Sequence, residues 1–165
     1  MNKVINFLES INENVGKLFS WTTTLLVAVL FTLVVMRYGF DTFSQKLNEL
    51  GIYFFALSFL FASGYAFKHD KHVRVDLFYA KMSPKGKAIT NLIGGLFFLL
   101  PWCIVAIAVC WQYAYTSLMR GESSQEPSGL PALYILKFTL FIGFTLLLLQ
   151  GIASILKSIQ TLRRD

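Results

Sequence analysis

The sequence predicts an all-α integral membrane protein, with four transmembrane helices preceded by a short N-terminal amphipathic interfacial helix. Three observations carry this prediction: four long uncharged apolar stretches, basic residues gathered at alternate ends of them, and a helical apolar period in residues 1–17. Leu18–Met36, Leu50–Phe67, Ala88–Met119 and Phe138–Leu156 contain no Asp, Glu, Lys, Arg or His. A hydrocarbon core about 30 Å thick requires roughly 20 apolar residues as a helix, so each stretch is long enough to cross. The spans are expected at about 18–37, 50–67, 89–112 and 133–156, in one membrane domain covering 1–165.

Composition agrees. Hydrophobic residues make up 55% of the chain and charged residues 15%, against about 25% charged in a soluble domain. A soluble reading would need four buried helices with almost no solvated face, which one small domain does not provide. The formal charge of +6 lies at span ends, where it suits lipid headgroups, so membrane lipids are expected partners and nucleic acid is not. The first apolar run begins only at Leu18, is too long for a typical signal-peptide core and has no A-x-A-like site after it, so it is expected to be a retained first helix.

Basic residues set the topology. Lys3 and Lys17, then Lys68, Lys71, Arg74, Lys81, Lys85 and Lys87, then Lys157, Arg163 and Arg164 make eleven on one side. Arg37, Lys46, Arg120 and Lys137 make four on the other. The positive-inside rule places both termini and the middle loop of this multi-pass chain in the cytoplasm. Tyr38, Trp111, Tyr113 and Tyr115 fall at the outer ends, at the level that aromatic rings favour. The third uncharged stretch is too long for a perpendicular crossing, so it is expected to tilt or to extend beyond the bilayer. Pro101 in its middle is expected to kink it, because proline lacks a backbone donor.

Between the spans the pattern is weaker. Ile5, Leu8, Ile11 and Val15 fall at helical spacing, with Asn2, Glu9, Glu13 and Asn14 elsewhere, as in a helix lying on the cytoplasmic membrane surface. Phe40, Phe43, Leu47 and Leu50 suggest a second such helix on the outer surface. Residues 122–131 are polar and broken by two prolines and a glycine, which reads as an irregular loop. Pro131 is placed to open the fourth helix. Thr24, Ala28 and Thr32, and Ser58, Ala62 and Ala66, are small-residue ladders expected to form helix–helix seams within the chain or to a partner. Arg37 ends span one and Glu49 begins span two at similar depth. They are expected to pair with each other or with a partner, the alternative being simple snorkelling.

No catalytic motif, phosphate loop or CxxC appears, so no enzyme activity, cofactor or metal is expected. Cys103 and Cys110 lie seven apart on one helix, about 10.5 Å in rise and too far for a disulfide. They are expected to be packing residues. His69 and His72 with scattered Asp make a poor metal site and are expected to be solvated loop residues. Gln150, deep in the fourth span, is expected to bridge helices.

The stretch from Leu47 to Ala56, then Gly64 through Phe78, resembles the small membrane subunit of tripartite ATP-independent periplasmic (TRAP) transporters, the DctQ-type family. Glu49 matches the acidic residue that opens the second helix of that family. His72, Val73, Arg74, Val75 and Asp76 match its loop signature. Arg37-Tyr38 and the approach to the fourth helix from Glu126 are also similar, and the resemblance runs over about residues 15–157. Lys46-Leu47 departs from the pattern, where many members carry a tryptophan.

The resemblance implies a large DctM-type membrane partner, a periplasmic substrate-binding protein and uptake driven by a sodium gradient. It implies organic acids as substrates, including C4-dicarboxylates and sialic acids, and a scaffold role for the small subunit. Arg37, Glu49, His72, Arg74, Asp76 and Glu126 are the candidate structural or partner-contact residues. His72, Arg74 and Asp76 are expected to organise the cytoplasmic turn, with Arg74 and Asp76 pairing locally or capping the next helix. The alternatives are a self-sufficient four-helix exporter, which normally carries a carboxylate within a span, and a subunit of a membrane redox complex, which needs intramembrane histidines or loop cysteine pairs.

Overall fold

The computed structural model describes residues 2–69 and 79–164. His72, Arg74 and Asp76 lie outside the described residues. Four long helices account for most of the rest: α1 (Asn2–Gly39), α2 (Gln45–Lys68), α3 (Pro84–Met119) and α4 (Tyr134–Arg164). Each contains a window long and apolar enough to cross a membrane. Helix α4 packs against α1, α2 and α3, and α1 lies along α2. Of its most apolar window 39% is buried, against 11%, 17% and 6% in α1, α2 and α3, so α4 is the central helix. The remaining apolar surface faces outward: Trp21 is 70% exposed, Phe31 68% and Phe98 73%. A soluble monomer does not display that much contiguous apolar surface; lipid tails are its natural solvent.

The separate N-terminal interfacial helix expected at 1–17 is not present as an element, because the described residues from Asn2 onward belong to one helix of 38 residues. At 1.5 Å per residue it is about 57 Å long, nearly twice the hydrocarbon thickness. Gly16 does not break it, because the missing side chain is filled from outside: a Cβ there would lie 2.5 Å from Tyr65 Cβ. The N-terminal turns are held against α2 and α4 by polar contacts. Asn2 Oδ1 accepts from Gln160 Nε2 at 2.5 Å, Glu9 pairs with Lys157, and Glu13 pairs with Lys68 at 2.8 Å. The amphipathic period was real, but it marks a packed face with polar groups inside it. Ile5 is 3% exposed and Asn12 1%. The Asn2–Gln160 bond also places both termini at the same end of the bundle.

The second interfacial helix is also absent. Residues 40–44 are not helical, and α2 starts at Gln45 with Ser44 as its N-cap, its Oγ accepting from Leu47 N at 3.4 Å. Phe40 and Phe43 are exposed in the connection. Helix α3 opens with Ser83 capping Gly86 N at 3.1 Å and Pro84 in the first turn, where the lost donor costs nothing.

Within α3 the ladder switches to π pairing over Gly95–Leu99, and Leu100 N–H reaches Gly95 O. This widened turn lies directly before Pro101, whose ring would otherwise crowd the carbonyl four residues back. Pro131 does not open α4. Ala132 takes a left-handed φ of 66° and the helix starts two residues later.

The close approaches between helices use glycines. A Cβ on Gly64 would lie 2.0 Å from Asn12 Oδ1, and one on Gly143 would lie 2.8 Å from Leu60 Cβ. The Thr24–Ala28–Thr32 ladder is exposed on α1 and forms no seam inside the chain, whereas Ser58, Ala62 and Ala66 are half-buried. Gln150 is 3% exposed and its Oε1 has no partner, so it forms no bridge through that atom. Cys103 is fully buried and both cysteines are free.

Candidate functional site

At the end of the bundle opposite the termini, residues 120–133 link α3 to α4 and fold over the start of α2. Helix α3 ends at Met119, and Gly121 takes a left-handed φ of 59° that turns the chain. The loop then closes on itself. Ser124 N donates to Leu130 O at 3.1 Å, and Gly129 N donates to Glu126 O at 3.0 Å.

Glu49, in the first turns of α2, holds the neck of this loop. One carboxylate oxygen accepts from Ser124 Oγ at 2.5 Å, and the other accepts from Leu130 N at 2.6 Å. Gln45 Nε2, one turn earlier on α2, donates to the first oxygen at 3.2 Å. The Ser124 hydroxyl in turn accepts from Glu126 N at 3.2 Å. The carboxylate fits because Gly129 has no side chain: a Cβ there would sit 2.7 Å from Glu49 Oε1 and 2.2 Å from Ser124 Oγ.

A second tie holds the same loop to α4. Lys137 Nζ contacts Glu122 Oε2 at 2.5 Å and lies 4.0 Å from the centroid of the Tyr113 ring. Lys137 is only 7% exposed, so it is an internal strut although the sequence counts it as a loop cation. Lys137 beside Glu122 holds that carboxyl below the ordinary glutamate value. Glu122 O also accepts from Leu133 N at 2.9 Å. Tyr113 and Lys137 come together because the end of α3 and the start of α4 are antiparallel neighbours.

The sequence-derived candidates divide accordingly. Glu49 and the backbone of Glu126 share one network through Ser124, while the Glu126 side chain is exposed. Arg37 is not part of it. Its side chain is exposed near Asp41 and Thr42, and among the described residues it pairs with no carboxylate. The expected Arg37–Glu49 pair does not form, because both Glu49 oxygens are taken by the loop. Sequence reasoning missed Ser124, Gly129, Glu122 and Lys137 as partners. The one available signal was the glycine and prolines flanking Leu130 in a loop next to an acidic helix start.

The terminal end carries a second polar knot. Glu13 binds Lys17 at 2.8 Å and, with its other oxygen, Lys68 at 2.8 Å and His69 Nε2 at 3.0 Å. The His69 ring packs on Tyr65 with centroids 4.4 Å apart and its side chain stays 43% exposed, so His69 is solvated as expected and is also tied to Glu13. Among the described residues no three His, Cys, Asp or Glu side chains gather as a metal site.

Both knots tie segments of the chain that are distant in sequence. Residues 26–161 match the family model for the DctQ component of tripartite ATP-independent periplasmic transporters. The chain is also 30% identical over 107 residues to a Haemophilus influenzae protein named "Putative TRAP transporter small permease protein", and the aligned stretch covers 64% of this chain and 66% of that one. With a family match across most of its length and four membrane-crossing helices, the chain belongs to the DctQ family of TRAP transporter small permease subunits.

Proposed function

We propose that this chain is the scaffold subunit of a sodium-coupled uptake system of the bacterial inner membrane, with both termini in the cytoplasm. It steadies a large DctM-type subunit, and the pair receives an organic acid, such as a C4-dicarboxylate or a sialic acid, from a periplasmic binding protein. It carries no catalytic or ion-coupling group of its own.

One observation supports this most: the carboxylates within the four helices stay at the helix ends, where Glu9, Glu13 and Glu49 are occupied by partners in the same chain. Ion coupling requires ionisable or unwound segments at membrane depth, and the uncharged stretches offer none. The Glu49 loop then presents an ordered outer surface, with Arg37 and the Glu126 side chain exposed on it for the binding protein. His72, Arg74 and Asp76 organise the cytoplasmic turn.

The test is sodium-gradient uptake in proteoliposomes. The chain with its large partner and binding protein accumulates substrate, and the chain alone does not. Uptake by the chain alone would refute the scaffold role. Arg74→Ala and Asp76→Ala lower the yield of the complex if the turn has its assigned role.

A further inference from the structure

At the end of the bundle that carries the termini, α3 and α4, with the last turn of α2 and Glu9 of α1, line a cleft of about 1000 Å³. We propose that this cleft binds an anionic phospholipid. Its size is at the upper end of the roughly 300–1,000 Å³ of ligand sites, and three features of its walls select the ligand.

The first is a gradient of polarity along the helices. Lys68, Lys87 and Lys157 line the end near the termini, while Phe98, Trp102 and Leu147 line the deeper end. On α3, Lys87 and Trp102 are 15 residues apart, about 22 Å of helix. A headgroup with a phosphate and two acyl chains has the same order of charge and hydrocarbon. Basic pockets between transmembrane helices at the headgroup level are known to take anionic lipids.

The second is the state of the lysines. Lys157 pairs with Glu9 and Lys68 with Glu13, but each ammonium has three donors. Lys87 lies over the face of the Tyr79 ring, at 5.5 Å, and among the described residues it pairs with no carboxylate.

The third is Gln150. It lines the cleft, is 97% buried by its 3% exposure, and its Oε1 is unpartnered. An apolar helix filling the cleft would leave that amide unpaired, at a cost of about 1–3 kcal/mol. The glycerol and ester region of a lipid, with the water it carries, supplies polar partners at that depth.

Gly94 provides a clean probe, because a Cβ there meets nothing within 4 Å. The full chain is purified from bacterial membranes in mild detergent, and retained lipid is read by native mass spectrometry. It is then offered vesicles of phosphatidylcholine alone or mixed with phosphatidylglycerol. The wild type retains phosphatidylglycerol in preference to phosphatidylcholine. Lys87→Gln lowers that retention about fivefold, and Gly94→Leu abolishes it without lowering the melting temperature. Phe59→Ala, on the exposed face of α2, retains the lipid. Equal retention by wild type, Lys87→Gln and Gly94→Leu overturns the proposal, as does equal retention of the two lipids. Displacement by inorganic phosphate alone, or a Gly94→Cys crosslink to the large subunit in place of lipid, also overturns it. None of these readouts depends on uptake, so the scaffold reading stands or falls separately.

Discussion

Glu49 and Ser124, 75 positions apart in the chain, are joined by a hydrogen bond of 2.5 Å that locks the loop between α3 and α4 to the start of α2. The second carboxylate oxygen takes the Leu130 amide, so a single side chain closes the loop neck from both sides. Glu49→Gln keeps one acceptor oxygen and Glu49→Ala keeps none. Hydrogen exchange at the Leu130 amide therefore accelerates in both variants, by about tenfold or more in Glu49→Ala. Gly129→Ala drives a methyl into the same carboxylate and should accelerate exchange similarly. Unchanged exchange at Leu130 in all three would show that the clamp does not order the loop.

Gly64 and Asn12 make a close contact between α1 and α2. A methyl on Gly64 would meet Asn12 Oδ1 at 2.0 Å and Leu146 O at 3.2 Å. Overpacking of this kind costs about 1–3 kcal/mol. Gly64→Ala should therefore lower thermal stability in detergent. In an Asn12→Ala background the first clash is gone, and most of the loss should be recovered. The two changes are then strongly non-additive, as contacting pairs are. Additive losses would mean that the α1–α2 contact is not tight there.

Much of this fold was legible because lipid imposes a simple rule: a span is a run without charge. The runs located all four helices. What the runs could not show was what a helical period faces. Ile5, Leu8, Ile11 and Val15 gave the correct period, but lipid surface and neighbouring helix produce the same apolar spacing. The difference lies in Asn2, Glu9 and Glu13, which bond to residues 158, 148 and 55 positions away. Glu49 was legible as a candidate by its place at a helix start. Its partners were not, since Leu130 lies 81 positions on and contributes a backbone amide that any residue except proline carries.

Glu122 gives the structure a pH dependence. Lys137 holds the Glu122 carboxyl below its ordinary value of 4.5. A carboxyl depressed on folding adds stability that is fully present above the unfolded value and is lost as pH falls through the folded one. The melting temperature should therefore decline as the buffer is acidified from the ordinary glutamate range downward. Glu122→Gln lacks that part of the decline and is less stable than wild type at neutral pH. Superimposable pH profiles for the two proteins would remove the pair from the acid response.

Arg37 distinguishes a surface that stabilises the fold from one that meets a partner. Its side chain is exposed and among the described residues it holds no carboxylate. Surface substitutions without such ties usually stay within about 0.5 kcal/mol, so Arg37→Ala should leave the melting temperature of the chain unchanged. If the end of the bundle opposite the termini receives a binding protein, removing a rim cation slows encounter and flattens its salt dependence. Uptake with the large subunit should then require more binding protein for half-saturation, and the deficit should shrink as salt is raised. Glu49→Ala, which releases the loop, should lower both stability and uptake. Normal uptake with Arg37→Ala at low salt would exclude this residue from the docking surface while leaving the Glu49 clamp intact.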